Sequence, residues 1–320
     1  MKKRYGLEAV ASGRRKFILR IIIIIAAIFL LSFLPVFCYK FIHDKILKLD
    51  SVSAMYDNWN KHTLEGYKKV YQISTDLLES NPLHNTALTF KGYSSFMLAE
   101  SETESTQAQL YLNESIFNLR KSLQNCDKKS IPQIKFMLGR AYFYKNKASS
   151  YHYYAELVIK YLEEAVELKY ESDSIPLMLG LSYAQLGEKE KSIQAFSEAL
   201  LVRETDTLLF DIAKQYFDMD QKVSKQYLAR VLDVSSNEKI LKEAHYLLGQ
   251  IYINEENYEQ SEKEFNTMLE MDKNSADAHY GLGLLYEKQG NVIKARDEWK
   301  KCLRFQFNHS EALKKMNNVM

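Results

Sequence analysis

The feature that most constrains this chain is a quartet of residues that returns with fixed internal spacing. Each copy has Leu-Gly, a tyrosine three residues after the glycine, and a large aromatic residue 13 positions after the tyrosine. The copies are Leu179-Gly180, Tyr183 and Phe196; Leu248-Gly249, Tyr252 and Phe265; and Leu282-Gly283, Tyr286 and Trp299. The spacing of the last two, about 34 residues, is typical of stacked helical hairpins that bury their apolar faces against one another. The sequence therefore predicts an all-α solenoid and a function in binding rather than in catalysis.

The amino-acid composition agrees with long helices. Eleven glycines and four prolines in 320 residues disfavour a turn-rich sheet, and 46% hydrophobic with 26% charged residues is typical of an ordered protein. The three cysteines, Cys38, Cys126 and Cys302, are odd in number and widely separated. They therefore do not indicate a disulfide framework.

Charge is distributed unevenly along the chain. The formal net charge is +2, but residues 1–39 contain seven Lys or Arg and one Glu, which leaves a net charge of −4 on the remainder. Such a mildly acidic body lacks the concentrated basic surface that nucleic-acid binding requires. We therefore expect no nucleic-acid partner.

An apolar run near the N-terminus predicts a membrane span. Residues 21–39 form a stretch that contains no charged side chain. As a helix this stretch would extend about 28 Å, close to the thickness of the hydrocarbon core of a bilayer. The C-terminal end of this stretch, from Phe33 to Cys38, has no small-x-small cleavage site and no small residue before the cysteine. An uncleaved signal anchor is therefore favoured over a cleaved signal peptide or a lipidated cysteine.

The charges that flank the run predict its orientation. Seven basic residues precede it, and only three lysines follow it closely; the more basic flank stays in the cytoplasm. We therefore expect a single-pass protein of the inner (cytoplasmic) membrane whose larger part is periplasmic, that is, extracytoplasmic. The expected segments are a cytoplasmic basic tail over residues 1–17, the transmembrane signal anchor over residues 18–39 and a stalk over residues 40–50.

The repeated quartet resembles the tetratricopeptide repeat (TPR), a helix–turn–helix unit of about 34 residues. This resemblance implies a right-handed α-solenoid of six to seven TPR-like hairpins over residues 51–309, closed by a capping helix over residues 310–320. Extra residues at Glu100–Gln109 are expected to form a solvated loop or a docking feature, and a second insertion is expected around Asn146–Tyr154. The units are residues 51–84, 85–131, 132–172, 173–206, 206–241, 242–275 and 276–309.

The resemblance also implies a groove for a partner. In TPR proteins, five positions of the first helix of each unit line a concave face. In this chain they give a largely aromatic stripe, which would bind an apolar helix or an extended peptide if it is exposed. The alternative is that a tight superhelix, or residues 40–60, cover the stripe. The predicted groove residues are Tyr93, Phe96, Phe136, Arg140, Phe143, Tyr144, Leu177, Leu181, Phe210, Lys214, Phe217, Tyr246, Gln250, Tyr280 and Leu284.

The expected function is that of a membrane-anchored protein–protein interaction scaffold. It would support assembly of an envelope complex of the secretion, envelope-biogenesis or flagellar-motor type. Two alternatives use the same architecture: a chaperone-like adaptor for translocated or unfolded polypeptides, and an organelle import receptor with a cytosolic TPR domain. Self-association is left open.

Sequence patterns typical of catalysis and metal binding are missing. There is no phosphate-binding glycine loop, no His-Glu-x-x-His, no Cys-x-x-Cys and no nucleophile elbow. His245 and His279 occupy equivalent places one period apart, but no carboxylate or thiol cluster accompanies them in the sequence, which favours a packing role. We expect no enzymatic activity, no cofactor and no metal.

Overall fold

The structure, a computed structural model, describes residue 37, residues 51–147 and residues 153–318. Regular secondary structure in these residues is entirely α-helical, which confirms the all-α prediction for this part of the chain. Within residues 51–147 and 153–318, which the structure describes, fifteen helices follow one another. They are α1 (51–59), α2 (Leu64–Ser80), α3 (Asn85–Ser101), α4 (Ser105–Ser122), α5 (Ile131–Lys147), α6 (Ala155–Glu167), α7 (Ile175–Gln185), α8 (Lys189–Val202), α9 (Asp206–Phe217), α10 (Gln221–Val234), α11 (Glu238–Asn254), α12 (Tyr258–Met271), α13 (Ala276–Lys288), α14 (Val292–Phe305) and α15 (Ser310–Asn318).

The segments predicted for the membrane lie almost wholly outside the described residues. This applies to the tail (1–17), the span (18–39) and the stalk (40–50), of which only Phe37 is described. Of the helices that the structure describes, none combines the length and the hydrophobicity that a bilayer crossing requires.

The chain divides into two compact units, residues 1–137 and residues 138–320. In the first unit, α3 packs against both α2 and α4. Its glycine, Gly92, lies against Leu119 of α4: a Cβ at that position would be 2.5 Å from the leucine Cγ. The apolar core around α2 and α3 is formed by Met55, Val70, Leu77, Ala87 and Phe90.

The second unit is a stack of helical hairpins in which each helix packs on its neighbours in the chain. The pairs α7–α8, α9–α10, α11–α12 and α13–α14 correspond to successive predicted repeats. Asparagine side chains begin the second helices of the last two hairpins: the Oδ1 atoms of Asn257 and Asn291, one repeat period apart, accept hydrogen bonds from the amides of Gln260 and Lys294. These caps satisfy backbone donors that the helix itself leaves unpaired.

The recurring quartet is confirmed as interhelix packing. A Cβ on Gly180, Gly249 or Gly283 would come within 2.3, 2.6 or 2.1 Å of the aromatic residue that ends the same quartet. Real Cβ atoms do not approach neighbours so closely, so the helices can lie at this separation only because the residue is glycine. Phe196, Phe265 and Trp299 are fully buried by this contact.

In three hairpins, a second periodic contact joins the two helices through a buried serine. The hydroxyl donates to a backbone carbonyl of the first helix, at a position where TPR units usually have alanine. Each such bond contributes about 1 kcal/mol to stability. The pairs are Ser192 with the carbonyl of Gly180 (2.9 Å), Ser224 with that of Ala213 (2.8 Å) and Ser261 with that of Gly249 (2.9 Å).

The structure corrects the predicted loop at Glu100–Gln109. Helix α3 continues to Ser101 and α4 begins at Ser105, so only residues 102–104 connect them. The extra residues are taken up mainly by longer helices because Ala, Gln and Glu are good helix formers. In the short connection, the carboxylate of Glu102 accepts a hydrogen bond from the amide of Thr103 at 3.0 Å. Within the second predicted insertion, residues 148–152 lie outside the described part of the chain.

Helix α15 lies within the segment for which a capping helix is predicted. Its residue Ala312 is fully buried and belongs to a cluster with Tyr280, Trp299 and Cys302. The helix thus covers apolar residues of the last hairpin that would otherwise contact water.

Candidate functional site

The predicted groove residues differ widely in exposure. Tyr93, Phe96, Phe136, Phe210 and Tyr280 are buried. Lys214 and Leu177 are exposed. Partly exposed are Arg140, Phe143, Tyr144, Leu181, Phe217, Tyr246, Gln250 and Leu284. The periodic pattern therefore locates a helix face, but it does not determine which side chains on that face remain accessible.

In the first unit, helix α1 covers part of the predicted stripe. The ring of Trp59 lies 5.6 Å from that of Tyr93, and the ring of Tyr56 lies 4.7 Å from that of Phe90 in an edge-to-face arrangement. Such aromatic pairs stabilise packing beyond the area that they bury. Around Tyr93, the stripe is therefore covered by Trp59, as expected from the alternative that residues 40–60 cover it.

In the second unit, a cavity of about 670 Å³, the larger cavity, brings predicted groove residues together. It is lined by residues of α9 and α11, by the segment from Asp272 to Asp277 and by the end of α14. Three of its residues, Phe210, Lys214 and Tyr246, were predicted from the sequence. Lys239, Lys242 and Phe305 were missed because they lie outside the family's groove positions, near the start of α11 and at the end of α14.

The charges around the larger cavity are locally balanced. The Nζ of Lys214 lies 2.7 Å from Asp211, and the Nζ of Lys242 lies 3.8 Å from Asp272. Exposed pairs of this kind contribute little to stability, so exchanging them for contacts to a ligand costs little. Lys214 also lies 4.9 Å from the ring centre of Phe210, within cation–π range. The cavity thus offers both signs of charge beside aromatic surface.

Tyr246 forms part of the wall of the larger cavity. Its ring lies 6.0 Å from that of Phe265. Burial raises the pKa of the Tyr246 phenol, and the neighbouring Tyr280 and Asp277 add to this effect. The hydroxyl is therefore neutral at physiological pH and can donate a hydrogen bond.

A smaller cavity of about 240 Å³ is lined by three further predicted groove residues, Phe217, Gln250 and Leu284. Lys315 of α15 also lines it, so the capping segment contributes to the lining. The larger and smaller cavities together contain six of the predicted groove residues. Among the other predicted residues of the second unit, neither cavity is lined by Arg140, Phe143, Tyr144, Leu177, Leu181 or Tyr280.

The two periodic histidines join helices within their own hairpins. The Nδ1 of His245 lies 2.6 Å from Glu264, and the Nδ1 of His279 lies 2.7 Å from Glu298, with both partners again one period apart. In the part of the chain that the structure describes, no group of three or more His, Cys, Asp or Glu residues could hold a metal ion. The arrangement is thus suited to binding by shape, aromatic surface and paired charges.

Comparison with known families identifies the repeated units. A TPR repeat model matches residues 249–290, and a tetratricopeptide repeat model matches residues 177–206 and 276–309. These segments are tetratricopeptide repeats. They contain the glycine and both aromatic residues of all three quartets. No curated protein is significantly similar to this chain in sequence.

Solved structures that are similar to this chain include two that are described as TPR proteins. The C-terminal part of a TPR repeat-containing protein from Cytophaga hutchinsonii is 10% identical, with 83% of this chain and 97% of that chain covered and a TM-score of 0.54. YrrB, described as a TPR protein with an unusual peptide-binding site, is 21% identical over 62% of this chain and 97% of its own, with a TM-score of 0.47. MamA from Desulfovibrio magneticus is 18% identical, with 55% of this chain and 97% of that chain covered and a TM-score of 0.46. At 10% identity, the likeness to the Cytophaga hutchinsonii protein concerns the fold alone.

Proposed function

We propose that this chain is a protein–protein interaction scaffold whose second unit binds a segment of a partner protein in the larger and smaller cavities. The observation that carries the proposal is the convergence of six groove residues on these two openings. Aromatic side chains next to paired charges are typical of surfaces that bind peptides, because rings supply apolar contact and charges fix orientation. The role is one of binding and does not include catalysis.

Anchoring to a membrane is a further part of the proposal. The charge-free run over residues 21–39 and the seven basic residues before it support a signal anchor with the TPR units outside the cytoplasm. Confinement to the membrane would raise the effective concentration of a bound partner beside other membrane proteins. Such a scaffold would support assembly of an envelope complex.

The test is capture of the partner by tagged full-length protein crosslinked in its native membranes. The variant Lys214→Glu with Phe305→Ser changes two cavity residues that are exposed; Phe305 is 43% exposed. A matched control, Lys263→Glu with Ile293→Ser, makes similar chemical changes at residues that line neither cavity.

We expect the cavity variant to lose one or two stoichiometric partners that the control retains. Equal capture by both variants would refute the site. Recovery of many unrelated polypeptides by the unaltered protein would instead indicate a chaperone-like adaptor.

A further inference from the structure

A third cavity, of about 580 Å³, lies among α6, α7 and α8 in the second unit. We propose that this acidic cavity is a docking site for a basic, amphipathic segment of a second partner protein. It shares no lining residue with the larger or the smaller cavity. The site is therefore separate from the one proposed above, and its occupation would give the scaffold two binding surfaces.

The charged side chains that line the acidic cavity all carry the same sign. Five carboxylates line it, and no lysine or arginine does. The carboxylates are those of Glu163, Glu167, Glu171, Asp173 and Glu198. Arg140, which is not a lining residue, acts electrostatically on the lining residue Tyr170.

Most of these carboxylates have no partner within the described residues. Glu163 accepts a hydrogen bond from the hydroxyl of Tyr183. The other four form neither an ion pair nor a side-chain hydrogen bond with a residue that the structure describes. By contrast, each lysine of the larger cavity lies within 4.0 Å of a carboxylate. Unpaired like charges repel one another, and a cationic partner would relieve that repulsion.

The spread of the acidic groups excludes a simple cation site among the described residues. No three or more of them come close enough to ligate one metal ion. A ligand that complements these five carboxylates would therefore carry several separated positive charges. A peptide segment with repeated lysine or arginine has this form, whereas a nucleic acid would be repelled.

Exposed apolar side chains accompany the acidic groups and favour a segment with an apolar face. Val166 and Val202 line the cavity and are 45% and 48% exposed. Leu168 and Leu201, close to them in sequence, are 45% and 88% exposed. Apolar surface bordered by carboxylates is complementary to an amphipathic helix. The apolar face of such a helix would contact the exposed valines and leucines, and the lysines beside that face would contact the carboxylates.

The experiment measures binding of a fluorescein-labelled helical peptide built only of lysine and leucine, with leucines at i, i+3, i+4 and i+7. The full-length protein is held in phosphatidylcholine nanodiscs, and empty nanodiscs give the baseline for membrane binding. Fluorescence anisotropy is recorded for the unaltered chain and for the variant Glu167→Gln, Glu171→Gln, Asp173→Asn and Glu198→Gln. A control with the same loss of charge carries Asp233→Asn, Glu238→Gln, Glu259→Gln and Glu270→Gln, which are exposed and line none of the three cavities.

We expect the cavity variant to bind the peptide at least about tenfold more weakly than the control variant, because several charge contacts are lost at once. A second variant, Val166→Ser with Val202→Ser, is expected to weaken binding while retaining its salt dependence. Equal affinities of the cavity and control variants would overturn the proposal. So would equally tight binding of a glutamate–leucine peptide of the same pattern.

Sedimentation of the same variants identifies a different occupant. If the unaltered chain self-associates and only the cavity variant does not, the site is filled by a second copy of the chain, and a separate partner is ruled out. An unchanged oligomeric state, together with the loss of peptide binding, supports the proposal.

Discussion

At the scale of single residues, the contact between glycine and a large side chain is the unit from which the hairpins are built. The quartet in the sequence identifies it, because only a residue without Cβ allows the two helices to approach so closely. The hydrogen bonds of Ser192 and Ser261 were not predicted, because a sequence does not show which carbonyl a hydroxyl will reach.

Replacement of Gly283 by alanine is expected to destabilise the last hairpin by up to about 2 kcal/mol, the cost of overpacking less the gain in helix propensity. Alanine is the better helix former by about 1 kcal/mol, but its Cβ would lie 2.1 Å from the Nε1 of Trp299, which is fully buried. Overpacking of this kind typically costs about 1–3 kcal/mol. The measurement is amide hydrogen exchange across α13 and α14, with Lys300→Ala, at an exposed site on α14, as control. Equal protection of Gly283→Ala and the unaltered chain would contradict the packing assignment.

One turn of the array is strained at a position where its counterparts are relaxed. Gly187 and Gly290 have φ of 75°, whereas the equivalent residue between α11 and α12, Glu256, has φ of 58°. A residue with Cβ costs roughly 1–2 kcal/mol in this left-handed region. We expect Glu256→Gly to raise the free energy of unfolding by about 0.5–1 kcal/mol, after the greater flexibility of glycine in the unfolded chain is deducted.

The matched reverse change, Gly290→Ala, meets no atom within 4 Å and should therefore destabilise through backbone strain alone. Both variants are compared with the unaltered chain by urea unfolding. If Glu256→Gly does not stabilise the protein and Gly290→Ala does not destabilise it, the strain is absent.

At the scale of elements, the sequence predicts the pairing of helices better than their lengths. The period places a helix pair in each unit, because the buried positions recur along the chain. The period does not predict that most of the extra residues near Glu100–Gln109 belong to α3 and α4. Inserted residues can either lengthen a helix or lengthen a loop, and local helix propensity decides between the two. The boundary between the two compact units, within α5, also has no signature in the repeat pattern.

The last helix supports a prediction of its own, in which Cys302 serves as the reporter. This thiol is fully buried with Ala312 of α15. Burial raises the pKa of Cys302 to about 12, and the nearby carboxylates of Asp277 and Glu311 add to the shift. A buried and protonated thiol reacts slowly.

Truncation after His309 should therefore speed labelling of Cys302 by N-ethylmaleimide at least about tenfold, because the covering helix is lost. The background carries Cys38→Ser and Cys126→Ser, so that Cys302 is the only thiol. An unchanged labelling rate would mean that α15 does not cover the hairpin.

At the scale of the whole molecule, the resemblance to TPR proteins predicts which helix faces are available for binding but not which cavities form on them. Tyr93 and Phe210 occupy groove positions and are nevertheless buried, because neighbouring helices pack over them. Phe305 lies outside those positions and still lines the larger cavity, because the end of α14 meets the turn before α13. Accessibility depends on tertiary neighbours, and a single helical period carries no information about them.

Site-specific photo-crosslinking in living cells can show whether a partner protein occupies the larger cavity. The photoreactive amino acid p-benzoylphenylalanine is placed in the full-length chain at residue 305, in the larger cavity, or at residue 293, which is 78% exposed and lines no cavity described above. We expect a discrete crosslinked protein at residue 305 and none at residue 293. The same adducts at both residues, or none at residue 305, would contradict this prediction.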